Sequence, residues 1–139
     1  FQWLDRNLDF SRVAYTFVGR LPAELKNIRA LAPLSSLELA DVLRAHDVYL
    51  TASRNDPCSN SLVEALSCGL PAIYLKSGGH PELVGEAGLG FGAAEDIPSL
   101  LRRMADELTA FRKRIRVPSI TEVADRYLGV MGLGGKIPQ

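Results

Sequence analysis

The chain has 139 residues, 47% of them apolar and 23% charged, the composition of one soluble globular domain that can bury a core without disulfides or metal. Sixteen basic and sixteen acidic residues cancel, which leaves no long-range field for nucleic acid. No apolar run approaches the roughly 20 residues of a membrane-spanning helix, and Cys58 and Cys68 lack the close pairing of a zinc site, so they read as reduced thiols.

Phe1 to Leu8 reads as the end of a helix, and a chain that opens inside a helix without Met is expected to be an excerpt of a longer protein. Ala14-Tyr15-Thr16-Phe17-Val18 is a strand of aromatic and branched residues stopped by Gly19. Asn27 to Leu31 is a short, edge-ward strand ahead of Pro33. Ser35 or Ser36 caps the next helix, with Ser35 and Glu38 at capping-box spacing and Leu39, Val42 and Leu43 as its apolar stripe. His46 falls near that helix's C-terminal end, where the dipole favours a cation and the role is structural.

Val48 to Ala52 is a buried strand whose C-terminal end delivers Ser53 to Asp56 into a crevice. A helix from Asn60 to Cys68 stops at Gly69, with Pro71 beyond. Ala72 to Leu75 is the next strand and delivers the loop Ser77-Gly78-Gly79-His80-Pro81-Glu82. Pro81 to Val84 starts a short helix, and Leu89-Gly90-Phe91 is a last short strand. One long helix is predicted from Ile97 to about Arg116, another from Thr121 to Tyr127, and a frayed end from Gly132 to Gln139. The alternation predicts an α/β fold in one domain, residues 1–139: a Rossmann-like parallel sheet with helices on both faces. The basic cluster at Arg102-Arg103 and Arg112 to Arg116 reads first as a solvated helix face, and second as a contact for a partner domain or an anionic membrane surface.

Asp56 and Glu64 bracket the polar turn Cys58-Ser59-Asn60-Ser61, one acid in the loop above a strand end and the other on the first turn of the helix. Both are expected to face the crevice where an open parallel sheet binds its ligand. A carboxylate at a helix start suits a ribose diol. The turn offers backbone donors to a phosphate or sugar oxygen. The Gly78-Gly79 loop lets backbone approach closely because it lacks Cβ atoms. Blander readings stand beside these. Ser61 and Glu64 are themselves at capping-box spacing, Asp56-Pro57 is an ordinary turn starter, a Gly-Gly loop often serves chain reversal, and His80 is open to either a ligand or a structural role.

From Val48 to Ser53, through Asp56 to Glu64 and Ala65-Leu66-Ser67-Cys68-Gly69-Leu70-Pro71, to Gly78-Gly79-His80-Pro81-Glu82-Leu83-Val84, the chain resembles the retaining nucleotide-sugar glycosyltransferases built from two Rossmann domains (the GT-B type), specifically glycosyltransferase family four. The resemblance covers roughly residues 13 to 92 and includes the helix from Ser36 to His46 before the signature strand. It implies that the chain is the carboxy-terminal, donor-binding domain. The whole enzyme would move a sugar from a nucleoside diphosphate sugar to a hydroxyl acceptor, in a setting such as polysaccharide or glycolipid assembly. Carried over, Asp56 contacts the donor sugar and Glu64 holds the ribose; these are the catalytic candidates. Ser59, Asn60 and Ser61 line the donor pocket, and Gly78, Gly79 and His80 belong to the loop that closes over it.

The resemblance implies no metal and no cofactor other than the nucleotide sugar itself. It implies no nucleic-acid partner, a cytoplasmic location at most peripheral to the inner membrane face, and an acceptor domain outside these residues. Two departures matter. Asp56 stands where the family usually has glutamate, a one-methylene change of the size that shifts selectivity by ~1–3 kcal/mol. The basic pair that neutralises the diphosphate follows the first strand of the domain; with residues 15–19 as the second strand, that pair falls before Phe1, and Arg20 does not replace it. The chain alone is therefore expected to be inactive and to bind donor weakly. A nucleotide-sugar 2-epimerase of the same architecture and a non-catalytic binding or scaffold domain are the rival readings.

Overall fold

The computed structural model describes residues 1–21 and 24–133, so the expected frayed end lies mostly outside the described residues. The elements run α1 (Gln2–Asn7), β1 (Thr16–Val18), β2 (Arg29–Leu31), α2 (Ser36–Arg44), β3 (Tyr49–Thr51), α3 (Asn60–Ser67), β4 (Ala72–Leu75), α4 (His80–Val84), β5 (Gly88–Phe91), α5 (Ile97–Asp106), α6 (Leu108–Lys113) and α7 (Ile120–Val130). Every strand pair is parallel, as expected when helices join successive strands.

The pleat sorts side chains to two helix-covered faces. Ile73 of β4 joins Leu4 of α1, Phe91 of β5, Ile97 and Met104 of α5 and Phe111 of α6 on one face. Its neighbours Ala72 and Tyr74 turn the other way, onto Leu62 and Leu66 of α3 and Val84 of α4. Leu43, Ala65 and Leu70 then attach α2 to α3. Ile73 has no exposed surface, so truncating it to alanine would cost ~2–5 kcal/mol. The α/β fold with helices on both faces is thus the one the alternation predicts.

Two features differ from the expectation. The strands form two sheets, β1-β2 and β3-β4-β5, rather than one. The long helix breaks at Glu107, whose backbone (φ −111°, ψ 17°) leaves the helical region between α5 and α6. That break still lets Met104 and Phe111 enter the same core cluster.

Local chemistry fixes the helix starts. Ser35 and Glu38 close the expected capping box on α2, the Glu38 carboxylate accepting from the Ser35 amide at 2.9 Å. Ser119 and Glu122 repeat the device on α7. A long-range tie holds α1: the buried Asp5 carboxylate accepts backbone N–H bonds from Lys26, Asn27 and Ile28 at 2.7–3.0 Å. These donors, Lys26 foremost, hold its pKa below the ordinary carboxylate value.

Candidate donor site

The turn after β3 and the loop after β4 are bonded into one unit. The Asn55 amide donates to Ser77 Oγ at 3.0 Å, and the Gly79 amide donates to the Asp56 carbonyl at 2.9 Å. Contact is so close that a Cβ built on Gly78 would lie 2.2 Å from the Asp56 carbonyl oxygen, and one on Gly79 would lie 2.2 Å from that of Pro57. The diglycine therefore packs against the Asp56-Pro57 turn itself, and its missing side chains make room for backbone of the same chain. His80 locks the arrangement from beneath. It is fully buried, with Nε2 at 3.1 Å from Ser53 Oγ and Nδ1 donating to the Leu75 carbonyl at 3.0 Å. Both ring nitrogens are engaged, so in this geometry His80 positions Ser53.

Asp56 is half-buried, and its Oδ1 accepts from the Cys58 amide at 3.2 Å, which shapes the turn into α3. Ser59 is the N-cap of α3, only 3% exposed, and makes no side-chain cap bond. Its hydroxyl instead meets Ser61 Oγ at 3.2 Å, and Ser61 accepts from the Tyr49 hydroxyl at 2.9 Å. The first-turn amides of α3 are thereby left without a side-chain acceptor, at the end of the helix where the dipole favours an anion. Asn60 is exposed beside them. The Ser61–Glu64 capping box does not form, because the helix begins at Asn60 with Ser59 as its cap, which puts Glu64 on the second turn rather than the expected first. Glu64 is exposed and has no hydrogen-bond or ion-pair partner among the described residues.

Tyr49 is the site residue that sequence reasoning missed. Burial raises its pKa, the Ser61 bond opposes this, and the charges of Glu64 and Asp56 raise it further. The phenol's own bond goes to Ser61 Oγ and to neither carboxylate. The available signal was a polar-tipped aromatic in the otherwise aliphatic and hydroxyl-bearing strand Val48 to Ala52. Ser53, Ser61 and Glu64 line a groove of about 580 Å³ together with residues of β1 and β3, whereas Asp56, Ser59, Asn60, Gly78, Gly79 and His80 do not line it.

The remaining polar features serve the fold. His46 bonds Val42 O at 2.7 Å and Thr16 Oγ1 at 2.9 Å, a tie from the end of α2 to β1. In the basic cluster Arg112 pairs with Asp47 at 2.9 Å, Arg114 lies 5.4 Å over the Phe111 ring, and Arg116 donates to the Lys113 and Ile115 carbonyls. Arg20 is exposed beyond β1. Cys58 and Cys68 are free thiols. Among the described residues no His, Cys, Asp and Glu cluster could hold a metal ion, and no helix is long and apolar enough to cross a membrane.

Parallel strands, helices on both faces and a polar crevice at the strand ends define a Rossmann-like domain of the kind found in GT-B glycosyltransferases. Residues 7–109 match the family described as glycosyl transferases, group 1, and the chain belongs to that family. HepE from Anabaena, solved in complex with UDP-glucose, shares the fold with a TM-score of 0.54 at 18% identity, over 78% of this chain and 33% of that one. The chain thus spans about a third of the length of that solved structure. No curated protein matches it.

Proposed function

We propose that the chain is the carboxy-terminal, donor-binding domain of a retaining glycosyltransferase of family four, which transfers a hexose from a nucleoside diphosphate sugar to a hydroxyl acceptor in polysaccharide or glycolipid synthesis. The observation that carries this reading is Glu64. It is an exposed carboxylate without a partner among the described residues, on the second turn of a helix whose N-cap Ser59 makes no side-chain cap bond, and it lines the same groove as Ser53 and Ser61. Glu64 holds the ribose diol, Asp56 meets the sugar, and the α3 amides at Asn60 and Ser61 take a phosphate or sugar oxygen. The loop at Gly78 and Gly79 sets the height of Asp56 above the sheet, and His80 fixes Ser53 beside it. Catalysis rests on positioning and on stabilising the charge of the leaving group. The UDP-glucose held by HepE and the family match support a nucleotide sugar as ligand.

The test is calorimetry of UDP, GDP and their glucose and mannose derivatives with the full-length polypeptide that carries these residues, as wild type, Glu64→Ala and Asp56→Asn. Loss of a hydrogen bond to a charged group is worth ~1.5–3 kcal/mol, so donor affinity should fall roughly ten- to a hundredfold in each variant. Stability of Glu64→Ala should stay within ~0.5 kcal/mol of wild type, since the side chain is exposed and unpartnered. Equal nucleotide affinity in wild type and both variants, or none in any, would overturn the reading and favour a scaffold domain.

A further inference from the structure

Hydrogen counting around His80 fixes the direction of each bond it makes. The Leu75 carbonyl can only accept, so His80 Nδ1, 3.0 Å away, carries the proton. The ring has no exposed surface and no ion-pair partner among the described residues, so it is neutral. Its Nε2 is then a bare acceptor, and the Ser53 hydroxyl donates to it at 3.1 Å. A hydroxyl has one hydrogen, so Ser53 has none left to give. Thr51 Oγ1 lies 3.2 Å from the same Ser53 oxygen and must be the donor in that contact. The Thr51 oxygen can do this because it also accepts, from the Ser53 amide at 3.4 Å. The hydrogens thus run one way, from Thr51 to Ser53 to His80 to Leu75. Both flanking side chains are buried, His80 fully and Thr51 at 6% exposed, so packing holds that direction.

Ser53 itself is exposed and lines the groove of about 580 Å³. Its oxygen has two acceptor positions. Thr51 fills one, and no other described residue fills the second. Glu64 in the same wall is a carboxylate, which when ionised only accepts.

We propose that Ser53 is a specificity-determining residue of the donor site, held by His80 as an acceptor for one hydroxyl of the bound sugar nucleotide. This rests on the donor-binding function proposed above and adds one contact to it. The polarity sorts the ligand along the site. Phosphate oxygens only accept, so they are turned away from Ser53 and Glu64 and toward the α3 amides. Sugar and ribose hydroxyls can donate, so they are drawn to Ser53 and Glu64. An acceptor that loses its donor in a closed site is left unpaired, which is why such sites reject analogues lacking the hydroxyl.

The test is calorimetry on the full-length polypeptide that carries these residues. The probes are UDP-glucose, GDP-glucose and their analogues with one hydroxyl replaced by hydrogen or by fluorine. Fluorine cannot donate, so at one position the deoxy and the fluoro analogue should both bind about three- to tenfold more weakly than the parent. Ser53→Ala should lose about that factor for the parent and lose nothing further at that position. Ser53→Thr keeps the hydroxyl and should recover most of the affinity. If the fluoro analogue binds like its parent at every position, no acceptor of the protein takes a hydroxyl and the proposal is overturned. Equal affinity of wild type and Ser53→Ala for the parent overturns it too, while leaving the donor site in place. If neither sugar nucleotide binds the wild type, the donor-site reading falls and takes this proposal with it.

Discussion

Alanine at Gly79 isolates the contact that sets the height of Asp56. Gly79 has an ordinary backbone (φ −85°, ψ 2°), so alanine meets no conformational penalty there. Its Cβ would sit 2.2 Å from the Pro57 carbonyl oxygen, against 3.4 Å or more in ordinary contact, and the obstacle is backbone that cannot swing aside. Overpacking of this kind costs ~1–3 kcal/mol. Parting the loops also weakens the Gly79 to Asp56 bond, worth ~0.5–1.5 kcal/mol net. The smaller entropy of the unfolded alanine chain returns ~0.4–1 kcal/mol. The balance is a loss of about 2 kcal/mol, read as a lower urea midpoint at unchanged slope in denaturation followed by circular dichroism. Gly69→Ala is the control with the opposite cause: no atom lies within 4 Å of its Cβ, but its φ is +87°. There the left-handed backbone alone should cost ~1–2 kcal/mol. If Gly79→Ala is as stable as wild type, the loops are not packed as described, and the placement of Asp56 loses its support.

Ser35→Ala removes the capping box of α2 and should lower stability by ~1 kcal/mol in the same denaturation assay. His80→Ala empties a fully buried site and removes the ring's bonds to Ser53 and Leu75, for a loss of ~2–4 kcal/mol, while a loss below ~0.5 kcal/mol would point to a ring free to meet a ligand. Asp5 gives a pH signature. Its folded pKa lies below the unfolded value of 3.8, so its stabilisation is complete above about pH 4 and fades as pH falls through the folded value. Asp5→Asn should therefore be less stable than wild type at pH 7, with the gap narrowing below pH 4 in urea titrations at stepped pH.

What was legible in the sequence was local. The start and stop of α3 are written in Asn60 and Gly69-Leu70-Pro71, and the capping box of α2 in Ser35 and Glu38, within a few residues each. The fold class followed from the alternation of strands and helices. The roles that escaped reading depend on partners far along the chain. Asp5 meets Lys26 to Ile28 more than twenty positions away, and His80 meets Ser53 across 27. No pattern around Asp5 or His80 encodes those contacts. The break at Glu107 was hidden for another reason: the apolar spacing from Ile97 to Phe111 continues straight through it. At Ser61 and Glu64 the spacing of a capping box was present without the box, because Ser59 takes the cap two residues earlier.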